Sequence, residues 1–480
     1  MTPATEGTEL ASRLSSTRTL LEEFGQEHLL TFADELDANA RAQLLDQLAD
    51  IDIPAAAKLM QTARAMTFRP PPSELIAPAK CIARHPENAQ AFYEQGEELL
   101  AQGKVAAFTV AGGQGTRLGW NGPKGTFPAT PITGKPLFRV FAEAIHATTE
   151  RYGAVVPWYI MTSPINDADT RAFFRDNNYF GLRPTDIVLF PQGVLPSFDP
   201  AGKFMLSAAG RVAVNPDGHG GSLRALRTSG TIEDMRGRGI EQISYFQVDN
   251  PSVHTLDPLF LGLHVGHESS SGEMSSKMVP KIDAAEKVGV FCEVEGRTCV
   301  IEYSDLPDEL AGQTDDAGEL VFRAGSIAIH LLSVDFVDRL TSDSTGSPLP
   351  LHQARKAVSF VDLESGKLIE PKTPNATKLE MFVFDAVPKA ERSLVWETNR
   401  VEEFAPIKNA TGVDSAVSSH ALQVERAARW LESAGVTVPR DKNGASEAEL
   451  EICSSTALSA AQLAAVELPK SIDPGEQLVL

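Results

Sequence analysis

Cysteine is scarce: four in 480 residues, at Cys81, Cys292, Cys299 and Cys453, none in a Cys-x-x-Cys spacing. A structural zinc knot and a dithiol redox motif are thereby excluded, and reduced thiols are expected. No apolar run approaches the roughly 18 residues that would span a bilayer. The opening segment, Met1 to Leu10, has no basic stretch leading into an apolar one and does not read as a secretory signal. A soluble, cytoplasmic protein with no membrane partner is expected. Positive charge is also short, with 43 Lys and Arg against 64 Asp and Glu and a formal net charge of −21. Such a charge repels polyanions at long range and argues against nucleic acid as a partner. It leaves small nucleotides open, because backbone amides and a few placed lysines hold phosphates locally.

What is present is apolar material for a large core, at 42% of the chain. The length allows about three domains. Leu10, Leu14, Leu20, Leu21, Phe24, Leu29 and Leu30 recur at helical spacing, as do Leu44, Leu45, Leu48, Ile51 and Leu59, and they predict a helical N-terminal region over 1–100. The run Arg69-Pro70-Pro71-Pro72-Ser73 removes backbone donors and reads as a connector, with a further helix over about 88–103. From Lys104 short β-rich runs alternate with amphipathic helices. Val105–Val110 is almost continuously apolar, as a strand buried on both faces of a parallel sheet must be. Strands at about 156–162, 187–190 and 243–248, with helices over 137–149 and 167–177, predict a doubly wound α/β domain spanning 101–375. Past about 274 the strands become irregular (274–279, 288–294, 298–303, 320–329) and predict an antiparallel extension of the same sheet. Residues 376–480 read as a small α+β C-terminal domain with helices over 418–433 and 457–466.

The strand Val105–Val110 runs directly into Ala111-Gly112-Gly113-Gln114-Gly115-Thr116-Arg117-Leu118-Gly119. Glycine at these positions lets backbone N–H groups approach an anion, and a loop after a parallel strand is where α/β sheets bind ligands. Arg117 lies inside the loop, and Lys124 follows in Gly122-Pro123-Lys124-Gly125. Neither common alternative has the right spacing. A dinucleotide fingerprint needs glycine where Leu118 stands, and a P-loop needs Gly-Lys-Ser/Thr where the chain has Lys124-Gly125-Thr126. His267-Glu268-Ser269-Ser270-Ser271 starts like a zinc-protease motif, but its second histidine is Ser271.

The loop with Pro123-Lys124-Gly125 resembles the signature of the UDP-sugar pyrophosphorylases of the eukaryotic type (UDPGP type 1), in particular the UDP-N-acetylhexosamine (UDP-N-acetylglucosamine) pyrophosphorylases. Further blocks follow in that family's order over about 100–425. Among them are Phe190-Pro191-Gln192-Gly193-Val194, Pro216-Asp217-Gly218-His219-Gly220-Gly221, Val248-Asp249-Asn250, Ile301-Glu302-Tyr303-Ser304 and Phe404-Ala405-Pro406-Ile407-Lys408-Asn409. The resemblance implies a Rossmann-like, GT-A-like nucleotidyltransferase domain with a mixed central sheet and helices on both faces. It implies a Mg²⁺-assisted reaction of UTP with a sugar 1-phosphate to give a UDP-sugar and pyrophosphate, in a monomer or homodimer.

Residue by residue, the resemblance gives Arg117, Lys124 and Lys408 to the reacting phosphates. Ala111, Gly112, Gly113 and Gly115 fall to the nucleotide, with Gln192 and Gly218 around the uracil. Glu302, His219 and Ser326 fall to the sugar. Asp249, expected at the C-terminal edge of the sheet, is the metal-ligand candidate, since Mg²⁺ takes one or two carboxylates with phosphate oxygens and water; Asp385 is the candidate for a second. Two departures bear on the sugar. Ala324-Gly325-Ser326 stands where the family has Ala-Gly-Asn, and His219 stands where the hexosamine enzymes usually have Asn. N-acetylglucosamine 1-phosphate is the expected substrate, with glucose 1-phosphate or galactose 1-phosphate as the alternative, and a non-catalytic UDP-sugar-binding protein as the rival from another class.

Overall fold

The computed structural model describes residues 3–65, 71–342 and 349–480, with side chains from residue 8 onward. Arg69 and Pro70 of the proline connector lie outside the described residues. The chain forms two compact units that interleave along the sequence: Met1–Arg69, Gln192–Arg224 and Leu340–Asp385 make the smaller, and Pro70–Pro191, Ala225–Arg339 and Ala386–Leu480 the larger.

The larger unit is built on a sheet of eleven strands among the described residues. In chain order these are β1 (Ile76–Pro78), β2 (Cys81–Ile82), β3 (Val105–Val110), β4 (Trp158–Thr162), β5 (Ile187–Pro191), β6 (Gln242–Gln247), β7 (Met274–Pro280), β8 (Val290–Val294), β9 (Arg297–Ile301), β10 (Ala324–Ser333) and β11 (Leu394–Glu397). Their spatial order is β2-β11-β7-β10-β6-β3-β4-β5. Strands β6, β3, β4 and β5 run parallel, as the alternation of strand and helix predicts. β10 lies antiparallel between β6 and β7, and β8 joins β1, β9 and β10 in antiparallel pairs. The irregular later strands therefore do extend the same sheet, which is mixed. The helix Leu137–Tyr152 turns Leu137, Phe138, Phe141, Ala142 and Ile145 into the core beside Val105, Ala107 and Trp158. That spacing is one apolar stripe of a helix, each large side chain contributing about 1.5–3 kcal/mol of burial.

At the C-terminal end the helix Ala416–Ser433 starts on a reciprocal cap between Ser415 and Ser418 and packs Ala427, Ala428 and Leu431 against Leu450, Leu463 and Ile472. The helix expected over 457–466 is only Ala460–Leu463. Ser459 is extended and caps Gln462 N–H, while Ala465 and Val466 close on carbonyls three residues back. The segment therefore tightens and stops after one turn.

In the smaller unit the helices Pro3–Glu23, Ala38–Asp50 and Ile53–Ala65 carry the expected apolar pattern. Leu21, Leu44, Leu48, Ile53 and Met60 share a core with Leu195, Phe198, Phe204, Val361 and Leu379. Four antiparallel ribbons lie among the described residues of this unit, two of them Val194–Pro196 with Val214–Pro216 and His352–Lys356 with Ala376–Glu380. No helix among the described residues is long and apolar enough to cross a membrane.

Candidate functional site

In the larger unit the glycine loop leaves β3 with Ala111 N–H bonded to Met161 of β4 at 2.8 Å and then folds back on itself. Gly115 N–H reaches the Gly122 carbonyl at 2.9 Å, and Lys124 N–H reaches the Gly113 carbonyl at 3.0 Å. These bonds lay the Lys124 side chain along Gly113. Among the described residues the amides of Gly112, Gly113 and Gln114 donate to no group, so three N–H groups remain available to an anion. Gly115 differs: its amide is taken, and Trp120 packs where a side chain would stand. Arg117 is exposed and pairs with no carboxylate among the described residues.

The loop's shape depends on a residue that the sequence reading passed over. Asn166 is fully buried, and its Nδ2 donates to the carbonyls of Ala111 at 3.0 Å and Gly113 at 3.3 Å while its Oδ1 accepts Ser163 N–H at 2.7 Å. Turning those carbonyls toward Asn166 is what frees the amides. The available signal was an Asn four residues past the end of a buried strand, in Ser163-Pro164-Ile165-Asn166.

Asp249 lies at the same sheet edge, because β6 and β3 are parallel neighbours with Gln247 opposite Val110. Its Oδ2 is 3.9 Å from Lys124 Nζ. The Asp249 carbonyl accepts Ile407 N–H at 2.8 Å, which brings in Lys408. Lys408 Nζ sits 3.8 Å from Asp414 Oδ2 and 5.3 Å from the centre of the Phe404 ring. Asp414 closes this turn in the left-handed region, at φ 55°, its carbonyl accepting N–H from Lys408 at 2.6 Å and Asn409 at 3.0 Å. Burial raises the Asp414 carboxyl, and Asp249 and Glu286 push the same way against Lys408 and Arg400. Asn250 ties the two segments together, donating to the Glu403 carbonyl at 2.6 Å and accepting Ala405 N–H at 3.0 Å. Both lysine–carboxylate pairs are wider than a hydrogen-bonded ion pair, so each lysine can turn to a phosphate without a buried bond being broken. Asp249 suits Mg²⁺ in donor type: it offers a hard carboxylate oxygen at the sheet edge, with Lys124 Nζ 3.9 Å away.

Ser326 and Glu302 meet at Gly289. Ser326, on β10, donates its N–H to the Gly289 carbonyl at 2.8 Å, and Glu302 Oε1 lies 3.7 Å from where a Gly289 Cβ would be.

In the smaller unit Val194 stands opposite Pro216, so the ribbon sets Gln192-Gly193 beside Asp217-Gly218. Gln192 is buried, and Asp217 N–H reaches the Gly193 carbonyl at 3.3 Å. Gly218 has φ +86° and packs on the Met381 backbone, so glycine is required there for both conformation and space. His219 Nδ1 accepts Val383 N–H at 3.1 Å, and its ring stacks on Phe382 with centroids 5.2 Å apart. Asp385 Oδ2 pairs with His352 Nε2 at 2.8 Å.

One trio of the larger unit, His254, Asp257 and Glu403, has the spacing of a metal site. Its counter-ion is already present. Lys277, fully buried, donates to Asp257 at 2.6 Å and to Glu403. Burial alone would raise the Asp257 carboxyl, but Lys277 and His254 together hold it below its ordinary range. This is a paired internal charge.

The model of the UTP–glucose-1-phosphate uridylyltransferase family matches residues 57–439. The chain belongs to that family. Among members with curated names, the UDP-N-acetylhexosamine pyrophosphorylase-like protein 1 of Xenopus tropicalis is 37% identical over 450 residues, 89% of this chain and 86% of that one. The UDP-N-acetylglucosamine pyrophosphorylase of Saccharomyces cerevisiae is 38% identical over 356 residues, 72% of this chain and 74% of that one. Among solved structures, the Trypanosoma brucei UDP-N-acetylglucosamine pyrophosphorylase in complex with an inhibitor matches with TM-score 0.80 and 25% identity over 94% of each chain. The mixed sheet, with parallel β6-β3-β4-β5 at its core, is thus the family's nucleotidyltransferase-like fold.

Proposed function

We propose that the chain is a uridylyltransferase that makes a UDP-sugar and pyrophosphate from UTP and a sugar 1-phosphate, N-acetylglucosamine 1-phosphate being favoured. The observation that carries this reading is the group formed by the free amides of residues 112–114, Lys124 loosely paired with Asp249, and Lys408 tethered to Asp249 through Ile407. An anion with several phosphates is the ligand such a set accepts. The family's relatives, named for UDP-sugar pyrophosphorolysis, support the choice of UTP and a sugar 1-phosphate.

In this reaction an oxygen of the sugar phosphate attacks the α-phosphorus of UTP, the bond to the β-phosphate breaks, and pyrophosphate leaves in line. The nucleophile is already an anion, so no general base is required; positioning and charge neutralisation do the chemistry. The free amides of Gly112, Gly113 and Gln114 cradle the triphosphate, while Ala111, expected to join them, is buried with its N–H bonded to Met161 and serves to anchor the loop to the strand end. Gly115 contributes by holding the loop's return to Gly122. Arg117 and Lys124 neutralise the departing pyrophosphate, and Lys408 the reacting phosphates. Asp249 would hold Mg²⁺, which when bound neutralises charge on the phosphate oxygens. Gln192 offers donor and acceptor to the uracil edge beside Gly218. Glu302 accepts from sugar hydroxyls beside Ser326, and His219 keeps the sugar role that the family resemblance gives it. Purified protein given Mg²⁺, UTP and a panel of hexose and N-acetylhexosamine 1-phosphates should release pyrophosphate; no release with any of them would sink the proposal.

Ser326 favours one second reading. A hydroxymethyl group in place of an amide shortens the reach toward an N-acetyl group, and glucose 1-phosphate or galactose 1-phosphate is then the better substrate. The same panel separates the two. UDP-sugar binding without exchange of labelled pyrophosphate into UTP would instead mark a non-catalytic binding protein.

A further inference from the structure

Asp217 is a buried carboxyl that the reaction scheme does not use. It is 2% exposed, and its Oδ1 has no hydrogen-bond partner among the described residues. Burial pushes the carboxyl up to about 7, with Arg224 opposing. Leaving such a group unsatisfied is costly, so a packing role is needed to explain the room made for it. The room is specific. A Cβ on Gly193 would come within 2.6 Å of Asp217 Oδ2, and one on Gly221 would overlap the carboxylate. Neither glycine has positive φ, so each is required for space and not for conformation.

The main chain of Asp217 links the same pieces. Its N–H reaches Gly193, its carbonyl accepts Met381 N–H at 2.8 Å, and Gly220 N–H returns to the Met381 carbonyl at 2.8 Å. The carboxyl thus stands as a spacer between the turn that carries Gln192 and the turn that carries Gly218.

We propose that Asp217 is a positioning residue for base recognition: its side chain sets the separation of Gln192-Gly193 from Gly218–Gly221, and with it the preference for UTP over other nucleoside triphosphates. This rests on the reading of Gln192 and Gly218 as the uracil contacts. The test is steady-state kinetics with UTP and CTP at saturating sugar 1-phosphate, on the wild type and on Gly193→Ala, Asp217→Ala, Asp217→Asn and the double variant Gly193→Ala/Asp217→Ala, with folding followed by circular dichroism. Gly193→Ala should raise KM for UTP about tenfold while kcat stays within about twofold, and removing the carboxylate in the double variant should restore most of that loss. Asp217→Asn, which keeps shape and volume, should retain the UTP/CTP preference that Asp217→Ala loses. Additive losses in the double variant, or equal losses for UTP and CTP, would overturn the proposal while leaving the enzyme's activity established. A wild type that turns over no UTP would overturn the site reading and this proposal together.

Discussion

The glycine-rich turns at 112–119 and at 218–221 look alike in sequence and serve opposite ends. In the first, Asn166 draws the carbonyls of Ala111 and Gly113 inward and the amides of Gly112, Gly113 and Gln114 are left without partners. In the second, the backbone is packed on itself: Gly218 and Gly220 lie against the Met381-Phe382 main chain, and Gly221 lies against the Asp217 carboxyl. The first is the seat we propose for an anion, and the second is a joint between chain segments. A glycine run therefore announces that backbone needs room. Whether a ligand or the protein fills that room is decided by which neighbouring groups are already satisfied.

Replacing Lys124 should break this contrast most severely. Lys124→Ala is expected to lower kcat for pyrophosphate release by about 10²–10³-fold, the loss typical of one transition-state charge partner, with little change in thermal midpoint. An equally large loss of stability would instead make the lysine a structural strut for the loop.

The joint should respond to pH. With Asp217 raised to about 7 in the folded chain from 3.8, its contribution to stability is complete below about pH 4 and is lost as pH rises through 7. Denaturant melts at pH 5 and pH 8 should therefore show Asp217→Asn gaining on the wild type, by on the order of 2 kcal/mol across that interval. A constant difference between the two proteins would mean that the carboxyl titrates in its usual range.

Asn166→Ala tests how the seat is held open. It should cost about 1–2 kcal/mol of stability by orphaning buried polar groups, and it should raise KM for UTP more than that for the sugar phosphate. Equal effects on both substrates would separate Asn166 from the triphosphate. The smallest effect is expected at Ser326. Ser326→Asn should move the ratio of kcat/KM for N-acetylglucosamine 1-phosphate over glucose 1-phosphate upward by only a few-fold, since one hydrogen-bonding group at a partly open position is worth about 1 kcal/mol.

Much of the fold was legible because periodicity reports burial. Val105–Val110 reads as a two-faced strand and is one; residues 137–149 read as an amphipathic helix, and Leu137, Phe138, Phe141 and Ile145 pack as its apolar stripe. The Ala-rich stretch at 457–466 was over-read, since propensity knows nothing of an extended Ser459 and a chain that must turn back at once. Of the candidate site, Lys124 and Asp249 could be named from spacing and strand end, and the structure draws both together with Lys408. Asn166 and Asp217 could not, because each matters through partners that its own neighbours in sequence do not specify.

By itself the sequence determined the elements, the two glycine turns and the charge set, since local pattern is governed by which residues can be buried and which backbone angles they allow. Only the tertiary structure decided that the first helices share a unit with Gln192–Arg224 and Leu340–Asp385, that Ile407 hangs Lys408 from Asp249, and that one glycine turn stays open while the other is filled. Those outcomes depend largely on contacts between residues 53 or more positions apart. There, shape and the satisfaction of buried polar groups govern the result, and no local pattern carries that information.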